Sequence, residues 1–290
     1  MDTRTLSICS GYGGIELGLK AVIPRTRVVC YVENEVSQSQ ILAKRIKDGG
    51  LDDAPVWTDL RTFDAKPWRG KIHLLTGGFP CQPHSVAGKK RGKDDPRELS
   101  GEVLRIADEL GRPTLFLENV PGIRRFYWDN IRPRLQEMGY RTEEVLVTAR
   151  ETGAPHKRQR LFIMANAGYP ELSGWFSLAE EHIRKSLGEF ASQSGVLVDT
   201  ISERLQGNSR PTWEEEHVQR SRHVPLYPPG PDDHEGWTHV LTDVPSLEPT
   251  FCRMAHGSTP WVDKQLRSIG NGVVPASAAR AFLLLSKRFG

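Results

Sequence analysis

The strongest constraint on what this chain can fold into is an alternation that runs through its first 167 residues. The short apolar runs "TLSIC", "VVCYV", "KIHLLT", "TLFLEN", "EEVLVTA" and "RLFIMA" have the length and branched content of strands. Between them, "IELGLKAV", "SQSQILAKRI", "GEVLRIADELG" and "IRPRLQEMG" place apolar residues at helical spacing. Such an alternation specifies the α/β class: a doubly wound, mostly parallel, Rossmann-like sheet covered by helices on both faces. "VLVTA" and "LFIMA" leave no room for a crossover helix between them, so they are expected to pair antiparallel at one edge.

At 290 residues the chain can hold one large domain of this kind and a smaller appended part. The texture changes at Gly168, and 168–250 is rich in Ser, Pro, Gly, His and Trp without periodic segments. Regularity returns within 251–290, where "VPASAARAFLLLSKRF" reads as a helix with proline in its first turn. The expected division is therefore 1–167, 168–250, and a segment 251–290 that returns to the first domain. Charged residues at 26% suit a soluble protein, no apolar run spans a bilayer, and "MDTRTLSICS" lacks the features of a signal peptide. Cys9, Cys30, Cys81 and Cys252 are scattered without a zinc-type spacing, so no metal is expected and a reducing, cytoplasmic setting fits. A net charge of +3 neither requires nor excludes a polyanionic partner. The clusters "KKRGK", "HKRQR" and "RSRH" point to nucleic acid only if they flank a catalytic site.

Several unusual residues fall at successive strand ends. Gly11, Gly13 and Gly14 follow the first strand and open the first helix, where backbone can pass close to a ligand. Glu33 ends the second strand, at the distance where an acid grasps ribose hydroxyls, and Asp59 follows the third apolar run. Together they predict a nucleoside-containing cofactor; the absence of GxGxxG disfavours NAD. Cys81 follows the fourth strand between Pro80 and Pro83, which restrict the backbone and fix the direction of the thiol. Glu118 and Asn119 end the next strand, and Arg158 and Arg160 stand at alternate positions of the last one, hence on one face. Singly, each has an ordinary reading: a bystander cysteine, a helix-capping Glu-Asn, a solvated Arg pair. Their joint occurrence along one sheet edge favours chemistry.

In order, "SGYGG", "GGFPCQPHSVAGKKRG", "LENVPG", "PHKRQRLF" and "RSIGNGVVP" resemble the motifs of the DNA (cytosine-5)-methyltransferases of bacteria and phages. The resemblance covers most of the chain outside about 168–250. It implies S-adenosylmethionine as methyl donor, with S-adenosylhomocysteine as product, and a cofactor pocket made by Cys9, Ser10, Gly11, Gly13, Gly14, Glu33, Asp59, Leu60 and Asn271. It implies that the Cys81 thiolate adds to carbon 6 of cytosine and makes carbon 5 able to take the methyl group. Glu118 would bond ring nitrogen 3 and the amino group, Arg160 the base oxygen, and Arg158 would orient the site. Carbon 5 is inaccessible in a stacked duplex, so the base would be flipped out. A loop carrying Gln82, Ser85, Lys89, Lys90 and Arg91 would close over it and contact DNA.

By the same resemblance 168–250 is the target-recognition region, with Arg204, Arg210, Arg220 and Arg222 as candidate DNA contacts and Trp175, Trp213 and Trp237 as packing anchors. His84, His156 and Cys9 depart from the usual residues of their motifs, and none of them removes a catalytic group. The partner expected is double-stranded DNA, met by a monomeric prokaryotic or phage-encoded cytoplasmic protein that lies with the nucleoid through its substrate. Two other readings stand beside it: the same chemistry on RNA, and a DNA-binding module without catalysis.

Overall fold

Strands buried on both faces need nearly unbroken apolar sequence, and the middle of this sheet has it. The computed structural model describes residues 2–23, 25–80, 99–154, 156–168 and 272–289, with a few isolated positions between 181 and 242. The strands are β1 (Thr3–Ile8), β2 (Thr26–Val32), β3 (Val56–Trp57), β4 (Leu74–Gly77), β5 (Thr114–Asn119), β6 (Arg141–Thr148) and β7 (Gln159–Asn166). Among the described residues they form one seven-stranded sheet in the order β3-β2-β1-β4-β5-β7-β6. β1 to β5 pair parallel, and β7 runs antiparallel to both β5 and β6. The chain is thus a doubly wound, mostly parallel α/β fold. The antiparallel pair lies at an edge, but β7, the later strand, takes the inner place. Composition explains the inversion: "QRLFIMAN" is buried almost throughout, whereas "RTEEVLVT" is half-exposed over most of its length.

Alternate side chains of the strands divide the core between the two faces. Leu6, Ile8, Leu75, Leu115, Leu117 and Ile163 pack with Val103, Leu104, Ile106 and Ala107 of α3 (Ser100–Glu109). After β5 the chain forms α4 (Arg124–Phe126), a wide π turn (Tyr127–Ile131) and α5 (Arg132–Glu137), a longer helical run than its spacing predicts. Pro133 has no N–H to continue the α-helical ladder, and the wider turn carries the backbone up to it. On the opposite face Leu74, Phe116, Phe162 and Met164 meet α1 (Gly14–Val22) and the C-terminal helix. α2 (Val36–Lys47) sets Leu42 against Val28 and Tyr31.

The C-terminal helix, α6 (Pro275–Phe289), lies along α1 and against β6 and β7. Close approach is possible because Gly18 has no side chain. A Cβ there would strike the Pro275 carbonyl oxygen and come within 3.0 Å of the Ala278 methyl. Phe282 is fully buried and meets the ring of Phe116 edge-on at 5.3 Å. At the far end Arg288 donates to the Glu144 carbonyl at 2.7 Å, and Arg141 donates to the Arg288 carbonyl at 2.8 Å. The edge strand is therefore tied to the end of the helix. Apart from Gly168 and the isolated positions between 181 and 242, the recognition region expected at 168–250 lies outside the described residues, as do the arginines and tryptophans named for it.

Strand order reverses between β1 and β4, and in open parallel sheets that reversal marks the ligand crevice at the carboxyl ends. This architecture makes α6 a structural member of the sheet's covering. Phe282→Ala should lower unfolding stability by about 3–5 kcal/mol, while the exposed Lys287→Ala should stay within about 0.5 kcal/mol. Denaturant titration of both variants checks this, and equal stabilities would refute it.

Candidate active site

The loop after β1 turns sharply, with Cys9, Gly11 and Gly13 all at positive φ (47°, 57° and 79°). Cys9 therefore leaves the strand that its apolar neighbours predict. The space above Gly11 is open: a Cβ there would meet only the Gln38 amide oxygen, at 3.8 Å. That oxygen is buried without a hydrogen-bond partner. Glu33, at the end of β2, accepts from the backbone N–H of Gly11 at 2.7 Å and of Glu35 at 2.8 Å. Burial still holds its carboxyl above the usual range, with the two N–H groups opposing the shift. Next door, burial pushes the Cys9 thiol up to about 12, and the Glu33 charge adds to it. Such a thiol is inert at neutral pH and serves as packing.

Asp59 caps the short turn that follows it, accepting from the Arg61 N–H at 3.0 Å, and leaves its carboxylate partly exposed. Leu60 points inward to the core, and its carbonyl accepts from Arg105 at 3.0 Å. Val36 and Trp57 are large apolar side chains left exposed beside these acids, at 65% and 47%. An open glycine turn, two acids and exposed apolar surface make a cradle suited to a nucleoside bearing a charged amino acid tail. This chemistry fits the donor implied by the resemblance: Glu33 and Asp59 offer acceptor oxygens, and the Gly11 turn leaves room for close approach.

The other half of the site is built on β5 and β7. Glu118 is buried at the end of β5 with Arg160 Nε 2.8 Å from its Oε1. That N–H points off the oxygen, so charge rather than an aligned hydrogen bond holds the pair. Burial pushes the Glu118 carboxyl up to about 7 against the pull of Arg160 and Arg158. Arg158 sits one residue before β7, with φ at 28°, so strand alternation does not put it on one face with Arg160. Its guanidinium instead donates to the Gly272 carbonyl. Burial and the Arg160 charge lower its pKa.

Gly78 passes so near this carboxylate that a Cβ would come within 3.0 Å of Glu118 Oε2. Asn119 donates to the Phe79 carbonyl at 3.0 Å and accepts from the Val120 N–H at 2.9 Å. The end of β5 thus fixes the chain two residues before Cys81. Cys81, Gln82, Ser85, Lys89, Lys90 and Arg91 lie outside the described residues, as do His84 and Asn271. The neighbour of Asn271, Gly272, lies against the ring of Tyr12 in the cofactor loop.

The family of C-5 cytosine-specific DNA methylases matches residues 3–226. The chain belongs to this family. A Type II methyltransferase of Neisseria gonorrhoeae, M.NgoMIV, is 32% identical over 233 residues, covering 79% of this chain and 68% of that protein. M.NaeI of Lentzea aerocolonigenes, also a Type II methyltransferase, is 35% identical over 217 residues, covering 68% of this chain and 52% of its own length. The solved structure of the S. pombe Dnmt2 methyltransferase covers 58% of this chain and 51% of its own, at 23% identity and a TM-score of 0.48. By family this methylase is a DNA cytosine-5 methyltransferase. Among its described residues no helix is long and apolar enough to cross a membrane.

Tyr12, Gly78 and Gly272 belong to the site's geometry and were not singled out by motif chemistry. All three sit inside quoted motifs, "SGYGG", "GGFPCQPHSVAGKKRG" and "RSIGNGVVP", whose chemistry pointed to other residues. Because the folded value for Glu118 lies above the ordinary 4.5, folding takes up a proton there. Its contribution to stability falls as pH rises from 4.5 to about 7. In a carbon-13 titration of the glutamate carboxyls, Glu118 should have its midpoint near 7, and Arg160→Met should move it higher. A midpoint that stays or drops would contradict the pairing.

Proposed function

We propose that this methylase modifies carbon 5 of a cytosine flipped out of duplex DNA, with S-adenosylmethionine as donor and Cys81 as covalent nucleophile. The observation that carries the reading is a buried Glu118 with Arg160 at 2.8 Å, standing beside the strand exit that leads to Cys81. Carbon 5 of cytosine is a poor nucleophile by itself. Addition of the Cys81 sulfur to carbon 6 makes the ring enamine-like, provided the charge pushed onto the ring is stabilised. A Glu118 carboxyl near neutrality can hold a proton toward ring nitrogen 3, and its other oxygen can accept from the exocyclic amino group. Arg160 would offer its guanidinium to the base oxygen, and the Arg158 charge opposes the upward shift of Glu118. When bound, S-adenosylmethionine supplies an electrophilic methyl group to the activated carbon. A base such as solvent water then takes the carbon 5 proton, and the electrons of that bond re-form the 5,6 double bond and expel the Cys81 thiolate, leaving 5-methylcytosine and S-adenosylhomocysteine.

DNA is favoured over RNA by the family match. Supplied with labelled cofactor, the protein should transfer methyl groups to duplex DNA and not to tRNA offered in parallel. Transfer to tRNA alone would move the reading to RNA, and transfer to neither would leave a binding module. Cys81→Ala should abolish transfer while binding S-adenosylhomocysteine within about threefold of the parent, since the cofactor half of the site is separate. Persistent turnover in that variant would remove the covalent step.

A further inference from the structure

Two consecutive carbonyls just before α6 are held from opposite sides of the site. The Tyr12 hydroxyl donates to the Val273 carbonyl, and Arg158 donates to the Gly272 carbonyl. The Tyr12 ring lies so close to Gly272 that any side chain at that position would run into it. Gly14, two residues further along the same loop, passes close to the Val273 carbonyl as well, at 2.5 Å from a built Cβ. Tyr12 is itself fixed from behind: Arg45 of α2 stacks on its ring at 4.8 Å and donates to its carbonyl at 2.9 Å. The cofactor loop, the strap before α6 and the arginine of the base half are therefore one contiguous unit.

The geometry points to Tyr12 as a positioning residue that sets Arg158 through the Gly272–Val273 strap, and so links the shape of the cofactor loop to the base-binding half. This rests on the proposed role of the Glu118, Arg158 and Arg160 cluster. Arg158 needs such a support: its side chain is long, its backbone is at positive φ, and it stands outside the β7 ladder. With the Val273 carbonyl held by Tyr12, the adjacent Gly272 carbonyl that Arg158 bonds is held with it. Without the hydroxyl, the strap keeps its packing on Gly14 but loses the bond that fixes the carbonyl beside Arg158.

Tyr12→Phe keeps the ring against Gly272 and removes only the hydroxyl. At saturating cofactor it should slow single-turnover methyl transfer about tenfold, the size of one lost buried hydrogen bond. Made in an Arg158→Lys background, the same change should cost less than about twofold, because its effect passes through Arg158. Additive losses would overturn the proposal, since a general loosening of the loop does not depend on Arg158. A second measurement needs no activity. Amide exchange over 156–160 should quicken in Tyr12→Phe, with exchange in β2 unchanged. Unaltered exchange at 156–160 would equally overturn it. If the parent protein transfers no methyl group to duplex DNA, the proposed function falls, and the exchange result alone decides for or against Tyr12.

Discussion

Everything in the site depends on α6 being able to lie against α1 at backbone distance. Parallel strands send the ends of β1, β2, β4 and β5 to one rim, but that alone leaves the rim open on the side of the last strands. The α1–α6 contact through Gly18 closes it, because the strap before α6 is then laid across the cofactor loop. The energy comes from elsewhere in the helix, chiefly Phe282 wedged against Phe116 and the small residues Ala278 and Ala281 beside it. Packing some distance from the chemistry thus delivers two carbonyls to the place where Tyr12 and Arg158 use them.

The same face of the sheet holds an unusual amount of buried polarity. Glu16 of α1 is fully enclosed and accepts from the Thr76 hydroxyl at 2.8 Å. Ser7 and Ser10 form a second link nearby, at 2.8 Å, and Thr5 meets Thr26 at 3.1 Å. Burial raises the pKa of Glu16, as it does that of Glu118, yet the two carboxyls differ in kind. Among the described residues no cation pairs with Glu16, and it is held by hydroxyl hydrogen bonds as a strut under the loop. Glu118 has two arginine charges in its field and stays close to neutrality, where small changes move the proton. One buried acid is structural and the other is poised, and the difference is the arginines.

Much of this was legible in the residues, for identifiable reasons. Six of the seven strands and five helices follow from apolar periodicity, and the β5 segment "TLFLEN" coincides with Thr114–Asn119 because a central strand admits no ambiguity of burial. The order of β6 and β7 was not legible, since pairing partners depend on which strand can be buried on both faces. Arg158 and Arg160 were legible as a pair but not in their geometry, because alternation holds only inside a strand and β7 begins between them. Tyr12 was hidden for a related reason. Its partners lie some 260 positions away in sequence, across a contact that no local pattern encodes.

Separating the two halves of the site onto different strands has a chemical consequence. The acids proposed for the cofactor follow β2 and β3, while the groups proposed for the base lie at β5 and at the start of β7, with β1 and β4 between them. A transfer reaction needs both halves aligned within a fraction of an ångström, yet no strand is shared by them. The glycine loop after β1 and the exit of β4 lie at the join, and each is clamped on both sides: the loop by Glu33 and the strap, the exit by Glu118 and Asn119. Rigid clamps at the join let a sheet of independent strands behave as one reaction surface.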